Sequence, residues 1–106
     1  MSCSATIAAL NDALRTTFQG GRVMMTRGTA ELPEPTREKV LAAVRGFSAF
    51  SAENDPYGEH DFGAVEVEGV RCFFKVDYYD SAMEYGSEDP ADPQKTTRVL
   101  TIMLAE

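Results

Sequence analysis

Residues 62–79 constrain this chain most. Val65-Glu66-Val67 and the run from Val70 to Tyr79 alternate apolar and polar side chains on either side of Glu68-Gly69. Period-two alternation around a two-residue turn is the pattern of a β-hairpin. The turn length sets the register. It places Val67 opposite Val70, Glu66 opposite Arg71, Val65 opposite Cys72 and Ala64 opposite Phe73. One face then holds Val65, Val67, Val70, Cys72, Phe74, Val76 and Tyr78, and must look into a core. The other holds Glu66, Arg71, Phe73, Lys75, Asp77 and Tyr79. Glu66 facing Arg71 contributes about 0.2–1 kcal/mol to this register.

The rest of the chain must cover that apolar face. Ile7, Leu10, Leu14 and Phe18 recur at helical spacing, with Ser4 or Thr6 as the cap, Asp12 and Arg15 on the flank, and Gly20-Gly21 as the stop. Arg22 to Arg27 reads as a strand, and its apolar residues on both faces suggest a central position. Pro33-Glu34-Pro35 opens a second helix with Val40, Leu41, Val44 and Phe47 as its buried stripe, ending near Gly46. Phe47 and Phe50 would anchor the following segment. Thr96 to Leu104 is the last strand, apolar on both faces and so expected inside the sheet. The fold class is therefore α+β, in the order α-β-α-β-β-β: two helices on one face of a mixed or antiparallel sheet of about four strands. Residues 1–106 form one domain, since 106 residues bury one modest core.

Charge is distributed unevenly. Residues 1–52 carry six Lys/Arg and four Asp/Glu; residues 53–106 carry four and thirteen. Two stretches hold no Lys or Arg, residues 53–61 and 77–92. Carboxylates this dense repel unless they meet a cation, a metal or water. The first stretch combines Asn54, Asp55, Glu59, His60 and Asp61 with Pro56 and Gly58, a shaped turn in which Asn54 and Asp55 bond their own backbone. His60, the only histidine, can serve there as a proton shuttle or metal ligand, or can simply bond a neighbouring carboxylate. The second stretch holds Asp77, Asp80, Glu84, Glu88, Asp89 and Asp92, with Tyr79 and Tyr85. Tyrosines beside acids suit a protein interface, where an aromatic ring supplies area at low entropic cost. Arg98, facing with Leu100, is expected to pair with one of these carboxylates and fix the acidic loop to the sheet.

Several classes are disfavoured. A sequence pI of about 4.6 argues against direct nucleic-acid binding. No apolar run is long enough to span a bilayer, and the start lacks the pattern of a secretory signal, so a cytoplasmic location without membrane contact is expected. Cys3 and Cys72 offer no zinc spacing, and a disulfide between them is disfavoured in that compartment. The motifs of serine hydrolases, P-loop proteins, dinucleotide binders and zinc proteases are absent. No cofactor is called for.

The strings LNDALRTTFQGGRVMMTRG, NDPYGEHDFG, DYYD with EYGSEDPADP, and TTRVLTIMLAE together resemble a bacterial family of small proteins, domain of unknown function thirty-seven sixty-eight. The resemblance implies a stand-alone bacterial protein of the kind carried as accessory genes by plasmids and other mobile elements, and no activity. Two functions are left to weigh. The first is a non-enzymatic binding or regulatory domain. It would present Asn54, Asp55, Glu59, His60, Asp61, Asp77, Tyr79, Asp80, Tyr85, Glu88, Asp89 and Arg98 to a basic protein surface. The second is a small metal-dependent hydrolase or nuclease, in which His60, Asp61 and Asp77 act catalytically and Glu59, Asp61 and Asp77 hold a divalent ion that activates water.

Overall fold

In a computed structural model that describes residues 3–105, the chain runs α1 (Cys3–Thr17), β1 (Arg22–Met25), α2 (Arg27–Ala30), α3 (Glu34–Arg45), β2 (Phe62–Val67), β3 (Val70–Tyr79) and β4 (Thr97–Leu104). The sheet order is β1-β4-β3-β2. Strands β2, β3 and β4 pair antiparallel, and β1 joins the free side of β4 in parallel. The architecture is the expected α+β one, with one short helix, α2, added.

The hairpin takes the register dictated by its turn: Val67 opposite Val70, Glu66 opposite Arg71, Val65 opposite Cys72 and Ala64 opposite Phe73. Glu68 (φ 53°) and Gly69 (φ 81°) both adopt positive φ, as a type I′ turn requires. Glu68 tolerates this with its carboxylate held by Lys39 Nζ at 2.6 Å and Thr36 Oγ1 at 3.0 Å. Those contacts keep its carboxyl below the usual range.

The core lies between the sheet and helices α1 and α3. Val65, Cys72, Phe74, Val76, Leu100 and Ile102 meet Leu14 of α1 and Val40 and Val44 of α3. Each such side chain contributes about 1.5–3 kcal/mol of burial. Phe47 lies edge-on to Phe74 with ring centroids 5.2 Å apart, and Phe50 lies edge-on to Phe47 at 4.8 Å. These rings anchor the segment after α3, as their position in the sequence suggests. Gly63 makes room for them. A Cβ there would stand 2.5 Å from the Phe74 ring and 3.1 Å from Phe47.

Four local expectations need correction. Ser4 and Thr6 lie inside α1 rather than at its cap. The helix ends at Thr17, and Phe18 (φ 60°) takes the left-handed position before Gly20-Gly21 is reached. Arg15 is no flank residue: it is 4% exposed, and its guanidinium donates to the Val44 and Arg45 carbonyls at the end of α3. Finally, β1 is an edge strand. Its second apolar face is left uncovered, with Met24 54% exposed, instead of being covered by a neighbouring layer. Strand β4 is interior, as expected. Cys3 and Cys72 are both free thiols, Cys3 exposed and Cys72 buried.

Candidate functional site

The two acid-rich segments leave the same end of the sheet. Residues 53–61 lead into β2, and residues 80–96 connect the end of β3 to the start of β4. A chain of hydrogen bonds joins them through α1. Asn11, fully buried, donates through Nδ2 to the Glu59 carbonyl at 3.0 Å and to the Tyr78 hydroxyl at 2.9 Å. The Tyr78 hydroxyl donates to Glu59 Oε1 at 2.8 Å. Arg98 Nε donates to Asn11 Oδ1 at 2.9 Å, and Arg98 Nη2 donates to the Pro90 carbonyl. The path from Glu59 to Pro90 thus runs through Tyr78, Asn11 and Arg98.

The energetics of this relay follow from burial. Burial, and then the Glu59 carboxylate, push the Tyr78 phenol above its ordinary value, so it remains a donor. Burial pulls the Arg98 guanidinium down, while Tyr78 and Glu59 pull it back up. It stays charged, and it also lies over the Tyr78 ring, 5.4 Å from the centroid. Arg98 was expected to grip an acidic side chain. It holds the acidic loop by a backbone carbonyl instead, because Asn11 and Tyr78 occupy the ground between it and Glu59.

His60 is half-buried and held by groups of its own domain. Its Nδ1 lies 3.0 Å from both carboxylate oxygens of Asp12. An ionised carboxylate only accepts, so the Nδ1 proton is directed at Asp12. Nε2 stands 3.7 Å from Asp55 Oδ2. One face of the imidazole stacks on Phe50 with centroids 4.1 Å apart. The backbone supports this arrangement: His60 takes φ 56°, and the 8%-exposed Asp55 carboxylate accepts from the amides of Glu59 and His60. Asn54 closes the preceding turn on Ser51 and Ala49, as its residue type suggests.

The loop of residues 80–96 is tied down by its own side chains. Asp80 Oδ1 accepts from the Glu84 amide, Asp89 Oδ1 from the Ala91 amide and Asp92 Oδ1 from the Gln94 amide. Ser87 Oγ and Thr96 Oγ1 meet at 2.7 Å, and Thr96 donates to the Asp89 carbonyl. Asp80, Ser81, Gly86, Glu88, Gln94 and Lys95 line an open groove of about 250 Å³. Tyr85 stands 73% exposed beside it, whereas Tyr79 is half-buried.

Most of these acids meet no cation. Among the described residues, Asp77 pairs with Lys75 at 2.9 Å, and Asp55 has only the distant His60. Glu53, Glu59, Asp61, Asp80, Glu84, Glu88, Asp89 and Asp92 form no ion pair with any described residue. Neighbouring acids add to the effect of burial at Asp61. Burial, and then the charges of Glu59, Asp55 and Asp77, raise its carboxyl above the ordinary value.

The structure therefore brings Asp55, Glu59 and His60 together beside α1 and joins the Asp80–Asp92 loop to them through Arg98, while Asp77 lies on the other face of the sheet, paired with Lys75. Sequence reasoning missed Asn11 and Asp12. Asn11 carried a signal: it lies four residues after Ile7 and three before Leu14, a polar residue on the buried stripe, where it must find partners. Asp12 carried none, since its partner is 48 residues away.

No curated protein matches the chain, and no solved structure does. The family model that matches covers residues 25–106, so α1, with Asn11, Asp12 and Arg15, precedes the matched part. Over that span, which includes the whole sheet from Met25 onward and both acidic segments, the chain belongs to the family described as Protein of unknown function (DUF3768).

Proposed function

We propose that this domain is a non-enzymatic binding or regulatory protein, carried by a bacterial mobile element, and that its acidic sheet end docks a basic surface of a partner protein. One observation carries the reading: eight carboxylates without an ion pair among the described residues crowd the two segments that Asn11, Tyr78 and Arg98 tie together. A fold that holds unneutralised charge in ordered turns is prepared for a cationic surface, because the cost of assembling the charge is met before binding. Tyr57 and Tyr85, 80% and 73% exposed, add aromatic area at the rim. Basic segments of a nucleic-acid-binding protein fit this chemistry, with carboxylates standing in for phosphates.

The metal-dependent hydrolase reading gains no comparable support. Asp12 takes His60 Nδ1, Tyr78 takes Glu59, and Lys75 takes Asp77. Among the described residues no three of His, Cys, Asp and Glu stand together as a metal would require.

The test is capture from a bacterial lysate on the immobilised protein. A basic protein should be retained at low salt and released at about 1 M salt, where the screening length falls to about 3 Å. The variant Asp80→Asn/Glu84→Gln/Glu88→Gln should lose it. Retention that ignores both salt and the substitutions would end the proposal, as would no retention of a basic protein.

A further inference from the structure

The sheet has two free edges, and they differ in length and in charge. Strand β1 is four residues long, with Arg22 at its start and Arg27 just beyond its end. Strand β2 is six residues long, with Asp61 just before it and Glu66 as its one charged residue. It carries none of the devices that ordinarily blunt an edge. It has no Pro and no Lys, and no bulge interrupts its register with β3.

The ladder fixes which backbone groups this edge presents. The Val76 amide donates to the Asp61 carbonyl at 2.9 Å, so Asp61 and Val76 are a hydrogen-bonded pair. Bonded and non-bonded pairs alternate along an antiparallel ladder. Gly63, Val65 and Val67 therefore bond to β3, and Phe62, Ala64 and Glu66 turn their N–H and C=O groups outward. No backbone hydrogen bond from another described segment reaches them. A row of open donors and acceptors is a template for one more strand.

The side chains say which strand fits. Arg71 lies across from Glu66, yet its guanidinium sits over the Phe73 ring, 5.6 Å from the centroid. Glu66 forms no ion pair with any described residue. Phe62 is 41% exposed at the other end of the strand. A segment laid along β2 sets alternate side chains beside Phe62, Ala64 and Glu66. A cation suits Glu66 by charge and Phe62 by its ring. A second copy of this chain brings a net charge of −7 to an edge whose single charge is negative. A basic segment is repelled by Arg22 and Arg27 at the opposite edge.

From this we infer that an extended, Lys- or Arg-bearing segment of the partner protein adds to β2 as a fifth strand, its backbone bonded to Phe62, Ala64 and Glu66 and its cation on the Glu66 carboxylate. The inference rests on the reading of the acidic end as the dock of a basic protein, and it names the form in which that protein arrives.

The probe is the peptide acetyl-Thr-Arg-Thr-Val-Thr-Arg-Thr-amide, titrated into the full chain at about 0.15 M salt. Binding should saturate below about 1 mM. Exchange of the Phe62, Ala64 and Glu66 amides should slow by about tenfold or more. N-methylation of one alternate set of the peptide's amides should abolish binding, and methylation of the other set should preserve it, because only one set faces β2. Ala64→Pro removes an N–H that β3 does not use, so far-UV circular dichroism should show the fold intact while affinity falls by about tenfold or more. Glu66→Lys should cost as much, and it decides the matter should the proline variant fail to fold. No saturation, equal effects of the two methylations, or affinity that ignores the β2 substitutions overturns the inference. If Asp80→Asn/Glu84→Gln/Glu88→Gln alone abolishes peptide binding, the edge inference falls and the acidic dock stands.

Discussion

Asn11→Leu is the sharpest probe of the relay. Leucine has the same branched heavy-atom skeleton with bulkier methyl groups, so the change removes polarity without leaving a void. Asn11 makes three hydrogen bonds from a fully buried position. Two are bonds to uncharged groups, the Glu59 carbonyl and the Tyr78 hydroxyl, each worth about 1 kcal/mol. The third comes from Arg98 Nε, and a bond to a charged group is worth about 1.5–3 kcal/mol. Arg98 keeps the Pro90 carbonyl and the Tyr78 ring, so the guanidinium is not wholly stranded. The loss should total about 3–5 kcal/mol, a large part of the roughly 5–15 kcal/mol that holds a domain folded. With a urea m-value of about 1.5 kcal/mol/M, the midpoint should fall by about 2–3 M at constant m. A cycle with Tyr78→Phe should show a coupling of about 1 kcal/mol, because the two side chains share one bond and both reach Glu59. A midpoint shift under about 0.5 M, or strictly additive substitutions, would refute the claim that this relay binds the acidic segments to the helix.

Asp61→Asn should stabilise the protein at neutral pH. Burial first, and then Glu59, Asp55 and Asp77, raise the folded carboxyl above its ordinary 3.8. The native state therefore holds that proton more tightly than the unfolded chain, and stability is lost as pH rises from the unfolded value through the raised one. The urea midpoint of the variant should exceed the parent's at pH 7 and lose that advantage at about pH 3; an advantage independent of pH would count against the assignment. Gly63→Ala should cost about 1–3 kcal/mol in urea unfolding, because its Cβ meets a fully buried Phe74 ring that has nowhere to move. Gly69→Ala, at φ 81° with open space around it, should cost about 1 kcal/mol through backbone strain alone. An unchanged midpoint in either variant would contradict the geometry given for it.

What the chain could reveal by itself was whatever short-range chemistry dictates. The hairpin register follows from a two-residue turn and strict alternation. The stripes of α1 and α3, the stop at Gly46 and the crowding of acid into residues 53–61 and 77–92 were equally legible, since each depends on neighbours within a few positions. Long-range pairing decided the rest. Whether β1 lies inside the sheet or at its edge depends on what pairs with its far side, and its two apolar faces cannot distinguish a covering layer from an open one. The path from Glu59 through Tyr78, Asn11 and Arg98 to Pro90 draws on α1, β3, β4 and both acidic segments, and its partners stand up to 87 residues apart. A buried asparagine announces that it needs partners; only the packed chain determines which groups come within reach, because hydrogen bonds act over about 3 Å and carry no memory of sequence distance.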